Sequence, residues 1–360
     1  MGEPTLRDRI ELYYATVPLA FADAEEFGPL RLFVRKGEGA PYYGGPNHAY
    51  PVPAGPAPVA PASAGPAPVA PVPAGPAPVA PASAGPAPVA PVPAGPAPVA
   101  PASAGPVSVD PVPAGSASGG PVASGSASSG PVGTDINAAD IARVRARQRQ
   151  LGVAESFEWL AEVTPSLRAL VEAAGLPVAE RPLMVLDPHH PLPPQPLPEG
   201  VTIRILDADD PGLPAVLALP RLAFADVGTA VGPAGRAELA AVAEKLVADG
   251  TVETMRPTLL TGHKVLAAAF APDGTPLAAG HYHPARGITE IGGIGTLPTA
   301  RRQGLGAAVM AALATHAREH GVHTVFLAYA DAAVARIYAR LGFRPAGTTL
   351  LIADQPARGQ

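Results

Sequence analysis

The feature that most constrains this chain is a proline-rich repeat in its first half. Residues 51–132 hold 24 of the 49 prolines, none of the aromatic residues and a single charged residue, Asp110. The units PVPAGPAPVA and PASAGPAPVA alternate there, and the pattern decays into Gly and Ser beyond residue 115. Proline removes backbone donors and fixes φ, while Ala and Val offer too little apolar area to offset the entropy of ordering. We therefore predict a disordered polyproline-II spacer; a ligand for a proline-binding module is the alternative.

The repeat is predicted to interrupt a folded unit and not to join two. Residues 1–50 are too few to fold alone, so we pair them with residues 133–187 in one N-terminal domain. Apolar spacing and capping residues predict alternating helices and strands in this domain. They are a helix over Thr5–Thr16, a strand over Leu30–Val34, a helix from Asn137, a strand over Phe157–Val163, a helix that Thr164 and Pro165 begin and Gly175 ends, and a strand over Leu183–Leu186.

The composition excludes several classes of protein. With no cysteine, the chain has no disulfide framework, thiolate zinc site, iron–sulfur cluster or cysteine nucleophile. A net charge of -5 argues against a large nucleic-acid surface, which needs a concentrated basic face. Outside the repeat, no uncharged apolar run reaches the roughly 18 residues that span a bilayer, and the charged start, Glu3 to Glu11, is unlike a signal peptide. We expect a cytoplasmic protein without nucleic-acid or membrane partners.

A second linker, residues 188–199, separates the N-terminal domain from a domain over residues 200–352. Alternating strand and helix patterns in that domain predict an α/β (α+β) fold with a mixed central sheet flanked by helices. Asp273 and Gly274 predict a hairpin turn between two of the strands. The predicted strands cover residues 201–206, 265–270, 277–283, 288–297, 322–329 and a segment from 343, and the helices cover 213–225, 236–249, 302–320 and 331–341.

The most informative stretch covers residues 290–306, with the sequence EIGGIGTLPTARRQGLG. Gly292, Gly293 and Gly295 provide no side chains to pack, which in a strand usually indicates a bulge or the close approach of a ligand. Pro298 should end the strand, because it cannot donate a ladder hydrogen bond. The helix that follows begins with unpaired N–H groups beside glycines and arginines, and this combination predicts a phosphate site.

Two common phosphate-binding motifs are absent from this stretch. There is no G-x-x-x-x-G-K-[ST], and the dinucleotide pattern G-x-G-x-x-G fails because Pro298 stands at its last position. What remains is [RQ]-x-x-G-x-[GA] over Arg301–Gly306, followed by Y-x-x-x-G-F over Tyr338–Phe343. In this context the two motifs resemble those of the GNAT superfamily of acyl-CoA-dependent N-acetyltransferases. The resemblance covers about residues 200–352 and implies a GNAT-like mixed sheet there.

The resemblance also implies a role for each residue of these motifs. The backbone of Ile294, Gly295 and Thr296 would bind the pantetheine arm of acetyl-CoA, the co-substrate, as if it were an added strand. Glu290 stands where several members of the family keep a general base, and Tyr338 where many have the acid that protonates the CoA thiolate. No metal is implied. The acceptor would be an amine of a small molecule or peptide that attacks directly in a ternary complex. The pyrophosphate would be surrounded by Arg301, Arg302, Gln303, Gly304, Leu305, Gly306 and Ala307.

Other interpretations of the same residues stay open. Tyr338 could be a core aromatic, because it shares a helical face with apolar residues. Glu290 could be an exposed strand carboxylate or the partner of an arginine, and His281 or His283 on a neighbouring strand would then be the alternative base. These two histidines, like a second pair in the predicted helix over residues 302–320, have metal-binding spacing, but no third ligand stands in an evident position.

The end of the N-terminal domain repeats the strand, helix, Gly-apolar, strand order of residues 325–352. This order indicates a degenerate GNAT-like copy, so that the chain would hold two tandem GNAT-like halves. The helix that ends near Gly152 lacks the pyrophosphate motif, so this half would instead close the acceptor side of the active one. Two functions remain: an N-acetyltransferase, which the presence of both Glu290 and Tyr338 favours, and a non-catalytic acyl-CoA-binding regulator or scaffold. A homodimer is left open.

Overall fold

A computed structural model describes residues 4–36, 49–51, 136–226 and 228–352. Apart from its first residue, the predicted spacer over residues 51–132 lies outside this set, and so does the disorder predicted for it. Nearly all of the described residues belong to the two predicted domains and to the linker at 188–199 between them.

The N-terminal helix forms where the apolar spacing predicts it. Helix α1 (Leu6–Thr16) begins with a capping box, in which the Thr5 side chain accepts from the Asp8 N–H and the Asp8 side chain accepts from the Thr5 N–H. A 3₁₀ turn then leads into a small antiparallel sheet. Its strands are β1 (Ala22–Phe27), β2 (Leu30–Arg35) and β3 (Ala49–Pro51).

Beyond the spacer, two helices alternate with two strands. Asn137 caps the first helix, as predicted. The prediction that Thr164 and Pro165 begin the second helix is wrong, because turns continue from the preceding strand and the Thr164 carbonyl accepts from the Leu167 N–H; Ser166 stands at the N-cap. The elements are α2 (Ala138–Gln150), β4 (Glu158–Leu160), α3 (Leu167–Ala173) and β5 (Val178–Leu186).

The C-terminal half has strands and helices close to the predicted ones, with one helix more. The sequence does not predict this helix, α6, because Gly250 directly before it and Pro257 inside it both disfavour helix. The strands are β6 (Thr202–Ile205), β7 (Val265–Phe270), β8 (Pro276–Ala285), β9 (Ile288–Thr296), β10 (Thr324–Ala328) and β11 (Phe343–Ile352). The helices are α4 (Leu213–Ala225), α5 (Arg236–Ala248), α6 (Thr251–Leu260), α7 (Leu305–Glu319) and α8 (Ala332–Arg340).

Eight strands form one sheet in the order β4-β11-β5-β10-β9-β8-β7-β6. Within the described sheet, β9 and β10 pair in parallel and the other neighbours are antiparallel. Helices α4 and α7 cover opposite faces: a Cβ on Gly295 would meet Leu219 of α4, and a Cβ on Gly280 would meet Leu313 of α7. The predicted mixed sheet flanked by helices is confirmed.

The two halves of the chain share this sheet reciprocally. The unit β4-α3-β5 of the N-terminal half has the same order as β10-α8-β11 of the C-terminal half. Strand β5 lies between β10 and β11, and β11 lies between β4 and β5. Exchanging the two units therefore leaves the strand order unchanged. That the N-terminal half is a degenerate copy stays a prediction.

Helix α1 packs directly on the strands that belong to the C-terminal half. Ile10, Tyr13 and Tyr14 are at most 2% exposed and share one apolar cluster with Ile288 of β9 and Phe326 of β10. Burying a side chain of this size contributes about 1.5–3 kcal/mol, so the contact between the halves is strongly favourable. Among the described residues, no helix is long and apolar enough to cross a membrane.

Candidate active site

Strands β9 and β10 separate in the middle of the sheet. They pair only from Ile288 to Glu290 of β9 in the described sheet, and beyond these residues no ladder joins them. β9 also bulges against β8, where the register shifts just before His281. Gly293 at this bulge has φ 63, and a Cβ there would lie 2.6 Å from the His281 ring. The bend therefore requires glycine, as the sequence indicates.

A cavity of about 900 Å³ opens beside the separated strand β9. The other walls are the loop before α7, one side of α8, the end of α4 and part of the linker before β6. Tyr338 lines the cavity, whereas Glu290 lies one residue before the first lining residue of β9. The cavity is also lined by every residue that the resemblance assigns to the cofactor, namely Ile294, Gly295, Thr296, Arg301, Arg302, Gln303, Gly304, Leu305, Gly306 and Ala307.

The loop between β9 and α7 presents unpaired backbone N–H groups to this cavity. Arg302 and Gly304 have φ angles of 68 and 77, so helix α7 begins at Leu305 and not at residue 302 as predicted. The N–H groups of residues 302–307 donate to no carbonyl in the part of the chain that the structure describes. Left-handed residues followed by a helix N-terminus form a concave site that attracts anions, phosphate above all.

The side chain of Arg301 is buried and binds the protein's own backbone, unlike that of its neighbour Arg302. It is 8% exposed, and its guanidinium donates to the carbonyls of Ala223 at 2.8 Å, Asp226 at 2.7 Å and Ala230 at 3.0 Å. These carbonyls belong to the end of α4 and the loop that follows it. Arg301 therefore fixes the wall that the end of α4 and the following loop form, and the exposed Arg302 is the arginine of this loop whose charge can reach a ligand.

Gly295 and Gly306 allow helices α4 and α7 to approach strand β9 closely. A Cβ on Gly295 would lie 2.8 Å from the Ala223 Cβ of α4, and a Cβ on Gly306 would lie 3.3 Å from the Thr296 hydroxyl. The first contact is too short for any side chain. Gly295 is thus required by packing as well as by any ligand in the cavity.

Glu290 is buried at the point where the strands separate. Its side chain is 6% exposed and accepts hydrogen bonds from the Tyr14 hydroxyl and the Ala328 backbone N–H. The second carboxylate oxygen, Oε2, has no hydrogen-bond partner among the described residues. Burial raises the pKa of Glu290 well above its ordinary value, and the two hydrogen bonds offset only part of this effect. The alternative of an exposed carboxylate is wrong.

Tyr338 reaches the same cavity from α8. It is 7% exposed, and its ring packs against Phe343 at a centroid distance of 6.0 Å. Burial raises the pKa of its hydroxyl to about 12, so the group keeps its proton at neutral pH. Tyr338 is therefore both a core aromatic and a residue of the cavity wall, so its burial does not exclude the acid role that the resemblance implies.

The histidines of β8 lie beside Glu290 on the same face of the sheet. His283 is opposite Glu290 in the register, and its Nδ1 donates to the His263 carbonyl at 2.8 Å. Burial, with the charge of Lys264 nearby, lowers the pKa of both His281 and His283 well below the ordinary value. Both rings are therefore neutral at pH 7. No group of three metal-ligating side chains occurs among the described residues.

Two contributors to the site were missed by the sequence analysis. Tyr14 reaches Glu290 from a helix that lies 276 positions earlier in the chain. Pro193, Gln195 and Pro196 line the cavity from the linker before β6. The proline content of the linker was the only signal, and it indicates rigidity but not location.

Known proteins resemble this chain in sequence over one segment and in fold over most of its length. Residues 246–343 match the model of the acetyltransferase (GNAT) family. A GCN5-related N-acetyltransferase from Kribbella flavida covers 98% of this chain and is itself covered to 96%, with 18% identity and a TM-score of 0.55. A tandem GNAT protein from the clavulanic acid biosynthesis pathway shares 17% identity over 61% of this chain and 70% of its own, with a TM-score of 0.41. The curated protein sequences gave no match.

The family match runs from the end of α5 to the start of β11, which includes the loop with unpaired N–H groups and Tyr338. The Kribbella flavida structure covers 98% of this chain, so the similarity of fold extends to the N-terminal half. Residues 246–343 therefore match the acetyltransferase (GNAT) family, and the chain shares the fold of the GCN5-related N-acetyltransferase from Kribbella flavida.

Proposed function

We propose that the chain is an N-acetyltransferase that moves an acetyl group from acetyl-CoA to a primary amine by direct attack in a ternary complex. One observation carries this proposal: the cavity joins the N–H groups of residues 302–307 to the separated strand β9 and to Tyr338, with Glu290 next to its wall. An anion site, an open strand edge and two proton-handling groups are the parts that such a reaction needs.

The residues of the cavity fit the chemistry of a CoA thioester. The N–H groups of residues 302–307 and the charge of Arg302 would hold the pyrophosphate. Past Glu290, the edge of β9 that faces β10 has no strand partner in the described sheet, so Ile294–Thr296 can bind an extended amide-containing arm. Acetyl-CoA supplies the activated acetyl group, and the protein supplies position and proton transfer.

Glu290 acts as the general base. An alkyl amine has a reference pKa of about 10.4 and is almost entirely ammonium at neutral pH, so a group must remove its proton before attack. The Oε2 atom of Glu290 has no partner among the described residues and can accept that proton. The raised pKa brings the carboxylate closer to the basicity that such a transfer requires.

Tyr338 acts as the general acid. When the bond between the acetyl carbon and sulfur breaks, the sulfur leaves with the electron pair and needs a proton. Tyr338 lines the cavity, and its hydroxyl stays protonated at neutral pH, since its pKa is about 12. The hydroxyl can therefore donate that proton in the same step.

The test is the release of free thiol from acetyl-CoA, measured with the full chain and a panel of amines and peptides. We expect turnover with at least one primary amine, and mass spectrometry should find an added acetyl group on that amine. Tight CoA binding without thiol release across the whole panel would identify a non-catalytic acyl-CoA-binding regulator instead. Absence of CoA binding would remove both functions.

A further inference from the structure

The linker between β5 and β6 crosses the cavity beside the loop that precedes α7. Pro193, Gln195 and Pro196 line the cavity. The Pro196 carbonyl oxygen lies 3.9 Å from the place that a Cβ on Gly304 would occupy, and no other described atom beyond its chain neighbours comes within 4 Å of that place. We refer to residues 191–198 as the strap. The strap therefore lies directly beside the loop of residues 302–307, and both line the same cavity.

The strap is held in place at both ends. Arg318 of α7 donates to the carbonyls of Asp187 at 2.6 Å and His190 at 2.9 Å, just before the strap begins. Leu192 packs against the main apolar core. At the other end, a local turn in which the Pro198 carbonyl accepts from the N–H of Val201 at 3.1 Å leads to Val201, which packs against the same core. Because its anchors belong to the folded domain, the strap is a fixed wall of the cavity.

The strap offers mainly hydrogen-bond acceptors, whereas the loop of residues 302–307 beside it offers donors. Proline has no N–H, so a strap with five prolines in eight residues offers carbonyl acceptors and prolyl rings but few donors. The amide nitrogen of Gln195 is already used, because it donates to the Pro193 carbonyl at 2.7 Å. A phosphate would be repelled by these carbonyls and attracted by the loop. A flat ring with exocyclic N–H donors suits the strap.

We propose that the strap is the adenine subsite of the donor site, and that it makes the protein select a nucleotide-bearing acyl donor over a shorter pantetheine donor. The proposal rests on the proposed use of acetyl-CoA. Prolyl rings pack on the base, and strap carbonyls, that of Pro196 among them, accept from its amino group. The phosphates bind to residues 302–307, as already proposed, so the two surfaces divide the donor between them.

The test compares two double variants by calorimetry with CoA and with 4′-phosphopantetheine, which lacks the 3′-phospho-AMP portion of CoA. Pro193→Ala with Pro196→Ala changes the two prolines that line the cavity, whereas Pro191→Ala with Pro194→Ala changes two prolines of the same strap that do not line it. We expect the first variant to bind CoA about tenfold more weakly, the loss expected from uncovering one face of a base, and to bind 4′-phosphopantetheine as the wild type does. The second variant should resemble the wild type with both ligands.

Two results would overturn the strap proposal. Equal CoA affinity in both variants would show that Pro193 and Pro196 do not contact the bound CoA. An equal loss of affinity for CoA and for 4′-phosphopantetheine in the first variant would show that these prolines only maintain the shape of the cavity. Failure of the proposed function would look different, because binding needs no acceptor. A protein that binds CoA with this preference but transfers no acetyl group would refute catalysis and keep the subsite.

Discussion

Glu290 and Tyr338 occupy similar environments but serve opposite ends of the proposed reaction. Both are less than 8% exposed, and burial favours the protonated form of each. For Tyr338 this keeps the proton that the leaving sulfur needs. For Glu290 it means that the carboxyl gives up its own proton only at a pH well above the ordinary value. The activity of the wild type should therefore rise with pH as Glu290 ionises.

The first prediction concerns Glu290→Gln. The amide cannot accept the amine proton, so kcat should fall by about 10²–10⁴. The limb of the pH–rate profile due to Glu290 should disappear, and the residual rate should keep rising toward the amine pKa of about 10.4, because only neutral amine can react. CoA affinity is the control and should not change. Full kcat with an unchanged profile would contradict the assignment and make His281 or His283 the next candidate.

At the residue scale, the sequence predicts which residues form the cavity wall, but it does not predict the distant residues that hold this wall in place. Residues 294–307 lie together because they are one strand, one turn and one helix start, so local spacing fixes their positions. The use of Arg301 was not predictable in this way. Its acceptors, Ala223, Asp226 and Ala230, lie more than 70 positions away in the chain, and no local pattern joins them to the motif.

At the scale of elements, helix α1 supports β9 through one hydrogen bond. Tyr14 donates to Glu290 and thereby lowers the pKa of that carboxyl. Tyr14→Phe should raise this pKa further, so the rising limb of the pH–rate profile should move to higher pH. Tyr13→Phe is the matched control, since Tyr13 is equally buried on the same helix but donates to the His283 carbonyl at 3.1 Å. A limb that moves equally in both variants would mean that α1 acts only through packing.

The elements themselves were mostly predictable, because apolar periodicity and caps are local. Helix α4 has the bounds that the sequence predicts, and α1 differs by one residue. The errors have local causes of their own: Pro257 conceals α6, and the left-handed residues Arg302 and Gly304 delay α7. Strand β5 is longer than predicted, because pairing with β11 extends it back to Val178.

At the scale of the whole molecule, β5 makes the N-terminal half part of the eight-stranded sheet. It pairs with β10 on one edge and β11 on the other, and Met184 and Leu186 belong to the main core. Without β5, both neighbours would have unpaired edges. We therefore predict that residues 189–352 alone will not unfold cooperatively in thermal denaturation, and that co-expressed residues 1–187 will restore both folding and CoA binding.

The control for this experiment is the full chain with residues 52–132 replaced by a short Gly/Ser loop. Loop-closure entropy grows slowly with length, so this variant should have an equal or higher Tm. A cooperative transition in the isolated C-terminal fragment would contradict the requirement for β5. The reciprocal sharing of strands was not predictable from sequence, because β5 and its partners are more than 130 positions apart and strand patterns do not specify a neighbour.

Calorimetric titration of CoA into three proteins tests the central claim, that the loop of residues 302–307 binds an acyl-CoA, most directly. Arg302 and Arg286 both have positive φ, where glycine is less strained, so Arg302→Gly and Arg286→Gly change charge and backbone alike. Arg286 lies in the β8–β9 turn, outside the cavity lining. We expect one CoA per wild-type chain, about tenfold weaker binding for Arg302→Gly through the loss of a charge-assisted contact, and wild-type affinity for Arg286→Gly. No binding by the wild type, or equal affinity in all three proteins, would contradict the account.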